Sequence, residues 1–356
     1  MPSQTHSQRS TSDRQQGSSN DTSPMKIGIW GTGAMGSFAA WRLSLALGVT
    51  KNTDKNTLTV FGHYQPRLAH LNQYGINLIA LDGHQRCVNV LATSNIPRHP
   101  ELDVALIFNK TYQLDRVASE IHRSVKPGAL VICFQNGLGS DKLLKEANPN
   151  KTIAPGVLFE GVTLDSTGDI LHKGAGSTWL GLSPKVQARH AVILSLLRLG
   201  GFELRVQSDI SSIQWSKLAA NAAINPLTAL TGERNKQVAE HPLLRNIAIA
   251  VATEITRVAE HAQIRRDGDY LKDILKVAVR TGENISSMLS DIQQGRQTEV
   301  QSINGAIVEM GKTHNVPTPV NEMLVELIER CATSRVSFEM LETRWQQLAA
   351  TYVTEQ

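Results

Sequence analysis

Apolar residues along this chain follow two rhythms, and the change between them falls near residue 209. Before that point they gather in short runs rich in β-branched side chains. Four are plain: Lys26-Ile27-Gly28-Ile29-Trp30, Thr57-Leu58-Thr59-Val60-Phe61, Val104-Ala105-Leu106-Ile107-Phe108 and Leu130-Val131-Ile132-Cys133-Phe134. Runs of this kind predict strands of an open α/β sheet. The first leads straight into Gly31-Thr32-Gly33-Ala34-Met35-Gly36 and a helical stretch ending near Leu47. Beyond Pro155 the pattern becomes hairpin material. Val162-Thr163-Leu164 and Ile170-Leu171-His172 flank a polar turn containing Gly168-Asp169, and Thr178-Trp179-Leu180 is expected to pair next. These strands read as antiparallel additions at the sheet edge. With helical periodicity over 191–199, they close a first domain spanning 25–208.

From Asp209 onward the sequence holds no convincing strand. Segments 218–230, 243–261, 269–292, 298–313 and 321–331 all space their apolar residues at the helical period. A second, all-helical domain over 209–350 is expected. Pro226 lies inside the first of these segments, where its missing N–H predicts a break or kink.

Composition narrows the function classes. A chain of 356 residues suits two domains. The net charge of +4 comes without any Lys/Arg block, so no nucleic-acid partner is expected, while an anionic small ligand is compatible. Cys87, Cys133 and Cys331 are far apart and odd in number. They form neither a disulfide framework nor a metal knuckle, which fits a reducing, cytoplasmic setting. No apolar run approaches the ~20 residues that span a bilayer. Residues 1–24 contain no Ala, Val, Leu or Ile and are rich in Ser, Gln and Thr, which predicts a disordered tail.

The glycine-rich turn carries the first candidate chemistry. A strand, a Gly-x-Gly-x-x-Gly turn and a helix in that order form the dinucleotide fingerprint. Gly31 permits the turn, Gly33 admits a pyrophosphate to the backbone, and Gly36 lets helix and strand approach. An NAD site usually ends its second strand in Asp or Glu. Here Phe61 is followed by Gly62-His63-Tyr64-Gln65-Pro66-Arg67, with no carboxylate. That favours NADP, with Arg67, alone or with His63, facing a 2′-phosphate. Arg67 reads equally as the exposed start of the next helix. Lys110, Gln113 and Asn136 follow the third and fourth strands, at the sheet edge where such folds bind ligands.

The second candidate is a stripe on a helix. In Trp215-Ser216-Lys217-Leu218-Ala219-Ala220-Asn221-Ala222-Ala223-Ile224-Asn225-Pro226 the residues Lys217, Asn221 and Asn225 recur every four positions. Almost everything between them is Ala, Leu or Ile. Such a stripe either faces water or presents a cation and two amides to a polar ligand inside an apolar surround. Farther on, Glu299 borders the apolar face made by Val300, Ile303, Ile307 and Met310. It reads either as a site carboxylate or as a first-turn residue complementing the helix dipole.

Taken together, the fingerprint, Lys110 with Gln113, Asn136-Gly137-Leu138-Gly139, the 217–226 stripe, Glu283-Asn284-Ile285-Ser286-Ser287-Met288-Leu289 and Thr298-Glu299 resemble the ketopantoate reductase (2-dehydropantoate 2-reductase) family. The resemblance runs from Met25 to about Arg344. It implies a Rossmann-type first domain, a helical second domain like that of 6-phosphogluconate dehydrogenase, and an active site between them. It implies NADPH-dependent reduction of 2-dehydropantoate to (R)-pantoate, in the pathway to pantothenate and coenzyme A, by a monomer or homodimer. Carried over by position, Lys217 is the catalytic acid, and Asn221, Asn225 and Ser287 hold substrate. Asn136 lies between substrate and nicotinamide, Lys110 and Gln113 beside the cofactor, and Glu299 against the cofactor and near Lys217. Asn235 corresponds to a further substrate-side asparagine. His63 stands where many members have Arg, a departure that bears on the NADP preference.

An ammonium suits the reaction, because hydride arriving at C2 of a 2-oxo acid leaves charge on the former carbonyl oxygen. Two other readings stay open. One is a reductase of another small 2-oxo acid on the same scaffold; the other is an NADP-binding sensor without turnover.

Overall fold

The computed structural model describes residues 24–48, 56–331 and 338–352. The tail expected over 1–24 lies outside them, apart from Pro24. The first half opens with β1 (Lys26–Trp30), α1 (Ala34–Leu47), β2 (Thr57–Phe61) and α2 (Gln65–Tyr74). Three short strands follow, β3 (Ile76–Ile79), β4 (Gln85–Val88) and β5 (Leu91–Thr93). Next come β6 (Leu102–Ile107), a 3-10 turn (Thr111–Gln113), α3 (Leu114–Ser124), β7 (Val125–Cys133), α4 (Ser140–Ala147) and β8 (Thr152–Leu158). The half ends with β9 (Gly161–Leu164), β10 (Ile170–Gly174), β11 (Ser177–Gly181), α5 (Pro184–Arg189), α6 (Ala191–Leu199) and β12 (Glu203–Gln207).

The main sheet has the order β12-β11-β8-β7-β6-β1-β2-β5 and is parallel except where β11 meets β8. Its central strands are buried on both faces, and the period-2 alternation sends their side chains to different layers. Ile27, Ile29, Leu106 and Ile132 pack with Phe38, Leu43 and Ile193 on the α1/α6 side. Trp30, Ala105, Ile107 and Val131 pack with Val117, Ile121 and Leu144 on the α3/α4 side.

The expected hairpin forms, but elsewhere. β9 and β10 pair antiparallel, yet they belong to a separate four-stranded sheet, β4-β3-β10-β9, and not to the edge of the main one. Thr178-Trp179-Leu180 does not continue the hairpin. It sits in β11, between β8 and β12 of the main sheet. Pairing partners are chosen by long-range packing, which local alternation does not encode.

Among the described residues the second half is helical throughout: α7 (Ser211–Thr231), α8 (Gln237–Glu240), α9 (Pro242–His261), α10 (Tyr270–Arg280), α11 (Ser287–Gln293), α12 (Val300–His314), α13 (Pro319–Cys331) and α14 (Phe338–Tyr352). The single helix expected over 269–292 is two. α10 starts on an Asp269 cap and stops before Gly282, and α11 starts afresh on Ser286, whose side chain accepts from Leu289 N–H at 3.1 Å.

α7 is the central helix, buried almost continuously from Leu218 to Leu230. It runs unbroken through Pro226. The carbonyl that Pro226 leaves without its N–H belongs to Ala222, and the buried Asn304 amide donates to it at 2.9 Å. Asn304 also donates to Asn321 at 2.9 Å, and Asn321 donates to the Glu254 carboxylate at 2.7 Å. Glu254 in turn accepts from the backbone N–H groups of Val320 and Asn321. A buried polar chain thus replaces the lost helix bond, which is why the expected break does not occur.

Candidate active site

The fingerprint glycines meet distinct demands. Gly31 has φ +122°, and a Cβ there would lie 2.9 Å from the Phe108 backbone. A Cβ on Gly36 would lie 2.0 Å from the Gly31 carbonyl oxygen, so α1 can approach β1 only without one. At Gly33 nothing lies within 4 Å of a Cβ, leaving open space at the N-terminus of α1. Gly33 caps that helix without any side-chain bond, so the first N–H groups remain available. An open, glycine-walled helix start with free donors fits a pyrophosphate.

Arg67 sits behind this turn. Its Nε donates to Thr32 O at 3.3 Å, and its terminal nitrogens to Gly168 O at 3.0 Å and Ser37 Oγ at 3.3 Å. Burial lowers its pKa against the pull of Asp169 and Asp165. All three guanidinium nitrogens are engaged in joining the turn, α1 and the β9–β10 loop.

At the carboxyl ends of β6 and β7 the two halves meet around two buried carboxylates, Glu299 and Asp291. Glu299, the residue before α12, is buried. Its Oε2 accepts from Lys110 Nζ at 3.0 Å and Asn136 Nδ2 at 3.2 Å, and its Oε1 from Thr111 N–H at 3.3 Å. Lys110 also donates to buried Asp291 at 2.8 Å, and Arg296 holds the other Asp291 oxygen. Burial works to lower the Lys110 pKa, but Glu299 and Asp291 together outweigh it and the net direction is upward. Gly137 presses on the same place, where a Cβ would stand 1.9 Å from Ser302 O. Gln113 accepts from Asn109 Nδ2 at 3.0 Å. Gln135, which the sequence reading passed over, has both amide atoms buried without a partner in this loop.

Lys217 crosses from α7 to the last residue of β8, donating to Leu158 O at 2.9 Å. Burial pushes its pKa down to about 8, with Glu299 opposing. Along the same face stand Asn221 and buried Asn225. Neither carboxamide has a hydrogen-bond partner among the described residues. Their amide atoms still reach solvent, so a ligand entering here would exchange their water for its own polar groups. With Lys217 bonded to Leu158 O of the first half, the stripe faces the junction of the halves.

The remaining residues fall less centrally. Ser287 is exposed, whereas its neighbour Ser286 is buried, capping α11 and accepting from Thr228 Oγ1 at 2.7 Å. Asn235 is buried, and its Nδ2 donates to Thr281 at 2.8 Å. Its backbone N–H bonds Asn284 O, and its side-chain oxygen is left without a partner. This ties Asn235 to the loop that leads into Ser287. No group of His, Cys, Asp and Glu among the described residues could hold a metal ion, and no described helix is long and apolar enough to cross a membrane.

Comparison with known proteins agrees with this architecture. Residues 27–185 match the family model described as ketopantoate reductase PanE/ApbA, and 209–332 match that of its C-terminal part. The 2-dehydropantoate 2-reductase of Pyrococcus abyssi is 31% identical over 306 residues, 86% of this chain and 97% of its own. That of Halobacterium salinarum is 29% identical over 305 residues, 85% and 98% of the two chains. Among solved structures, a D-mandelate dehydrogenase in ternary complex with NADH and anilino(oxo)acetate superposes with a TM-score of 0.78. It shows 23% identity and covers 87% of this chain and 98% of its own. The chain belongs to the ketopantoate reductase family.

Proposed function

We propose that this family member is an NADPH-dependent reductase of a small 2-oxo acid, with 2-dehydropantoate as substrate and (R)-pantoate as product. The observation that carries this reading is the Lys217 ammonium, tied to Leu158 O with a pKa near 8 and in line with the two unpartnered amides of Asn221 and Asn225. The dinucleotide would lie on the open turn at Gly33 and the free N–H groups of α1, beside Asn136 and Lys110. It supplies the hydride when bound.

Each residue then has a defined task. Lys217 holds its proton against the C2 oxygen of the substrate, stabilises the charge that develops there, and donates the proton. A lysine with a pKa near working pH both keeps and releases a proton readily. Asn221 and Asn225 bind the carboxylate or hydroxyl of the substrate without adding a full charge. Ser287, at the start of α11, and Asn235, tied to the loop before it, close the substrate side. Glu299 and Lys110 hold the two halves in register, with Gln113 beside the cofactor.

The similarity to a D-mandelate dehydrogenase favours a second reading, in which a bulkier 2-oxo acid is reduced by the same machinery. The discriminating experiment follows loss of reduced-nicotinamide absorbance across a panel containing 2-dehydropantoate, branched aliphatic 2-oxo acids and phenylglyoxylate. A kcat/KM highest for 2-dehydropantoate supports the first reading, and one highest for phenylglyoxylate replaces it with the second. Tight dinucleotide binding with no turnover of any member would assign the chain to the non-catalytic class.

A further inference from the structure

The chain crosses from the main sheet to the second sheet in two residues, Phe159 and Glu160, and both are pinned. β8 ends at Leu158, whose carbonyl receives Lys217, and β9 starts at Gly161. Phe159 N–H donates to Ser177 O at 3.1 Å. Its own carbonyl oxygen lies so close to Gly176 that a Cβ there would stand 2.1 Å away. Phe159 and Gly161 also line a cleft that reaches Thr281 and Asn284 of the second half.

The Glu160 side chain is only 2% exposed. Its Oε1 accepts from Arg42 on α1 at 2.9 Å, and its Oε2 lies 2.8 Å from His172 Nε2 on β10. Aromatic rings enclose both partners. The Arg42 guanidinium is 4.3 Å from the Phe38 ring centroid and 4.9 Å from that of Phe202, and the His172 ring lies 5.1 Å from Phe38. A carboxylate this enclosed is tolerated only with a cation and further donors beside it, and it has them. Proton transfer at Lys217 does not pass through this cluster, so its use must be sought in its place. A carbonyl can hold an ammonium steadily only where the chain on both sides of it is fixed. At Leu158 itself that is done by the ladder to β11, in which Leu158 pairs with Thr178. Two residues farther on it is done by Glu160, from α1 and β10 together.

We propose that Glu160, held by Arg42 and His172, is a positioning residue for Lys217, fixing the strand exit so that Leu158 O meets the ammonium. This rests on the reading of Lys217 as proton donor. An accepting carbonyl favours the ammonium over the neutral amine, so displacing Leu158 O makes the proton easier to lose. The charged group acting on Lys217 among the described residues is Glu299, itself bonded to Lys110, and the variants below leave both in place.

The test follows the Lys217 amine itself, by NMR titration of the full-length protein carrying carbon-labelled lysine, with the signal assigned by its loss in Lys217→Arg and thermal unfolding of every variant alongside. Glu160→Gln and Arg42→Met remove opposite charges. A direct action of those charges on Lys217 would move its titration down in the first and up in the second, whereas a loosened Leu158 O moves it down in both. Both are expected to fall by about one pH unit, the scale of one hydrogen bond to a charged group. The declining limb of turnover against pH should move in step, with dinucleotide affinity kept within about threefold. His172→Phe keeps a ring against Phe38 and removes one donor, so it should move the amine the same way by less. Neither Arg42→Met nor His172→Phe removes an anion, so a fall in whichever of them folds carries the proposal. Opposite movements, or an unmoved amine in folded variants, overturn it. A falling amine in a protein whose turnover survives Lys217→Ala would keep the positioning and remove the proton-donor reading. An unmoved amine in a protein that needs Lys217 would do the reverse.

Discussion

Two lysines at the junction of the halves feel the same carboxylate and are driven in opposite directions. Lys110 touches both Glu299 and Asp291, and its pKa rises despite burial. Lys217 has Glu299 acting on it only through space, donates its one hydrogen bond among the described residues to a neutral carbonyl, and drops to about 8. Burial alone does not decide what a cation becomes; the number of anions in contact does. Lys110 is thereby a permanent charge suited to hold elements from both halves together. Lys217 is a charge that can be given up, which is what a proton donor requires.

The strongest way to break this contrast is to exchange what the two positions can lose. Lys217→Ala is expected to lower turnover by ~10²–10⁴, the usual range for positioned acid catalysis, with dinucleotide affinity retained in a binding titration. Lys217→Arg should recover little, since a guanidinium keeps its proton. Turnover within a few-fold of the parent after Lys217→Ala removes the lysine from the chemistry.

Lys110→Met should instead act on stability. It leaves Glu299 and Asp291, both nearly fully buried, without their shared cation. Removing one partner of a buried ionic cluster typically costs about 3 kcal/mol or more, and the Arg296 contact to Asp291 reduces that here. Denaturant unfolding at neutral pH should show the loss. Lys217→Met should show none and is expected to gain. The parent's lysine has a folded pKa below the reference value of 10.5, so the parent carries the penalty in full below about pH 8. As pH rises from there toward 10.5 the penalty disappears, and so should the advantage of the variant.

The amides make a finer test. Asn225→Ala should cost roughly 1–3 kcal/mol in kcat/KM, the penalty for a substrate group left without its partner. Its folding stability should change little, because the side chain has no protein partner to lose. Smallest is the through-space effect of Glu299. Reduction by the parent should decline as pH rises through about 8, where Lys217 loses its proton. Glu299→Gln removes the influence that raises that pKa, so the declining limb should move to lower pH. A limb that stays in place would detach Glu299 from the lysine.

Much of this arrangement is legible from spacing. The β1–turn–α1 unit, β2 and α6 lie where local pattern puts them, because continuous apolar runs and helical stripes are short-range signals. The Lys217 stripe is likewise a property of one helix. What local pattern misses is every choice of distant partner. The second sheet joins β3 and β4 to a hairpin by pairing Ile170 with Leu78 and Leu171 with Ile79, far apart in the numbering. Asn304, on a different helix, replaces the bond that Pro226 removes. Ser286 is buried as the cap of α11, while Ser287, carried over by resemblance as a substrate contact, is exposed, a difference of one position that packing decides.

By itself, the sequence determined the two halves, the dinucleotide turn and the line of Lys217, Asn221 and Asn225, since periodicity and glycine placement act within a single element. Only the tertiary structure decided what those groups became. It held Lys217, half-buried, away from direct anionic contact, set Lys110 between two carboxylates, and drew Arg67 behind the turn while Glu120 came to His63. The reason is electrostatic: a titratable group takes its character from the charges and dielectric around it. Those surroundings are supplied by residues far along the chain.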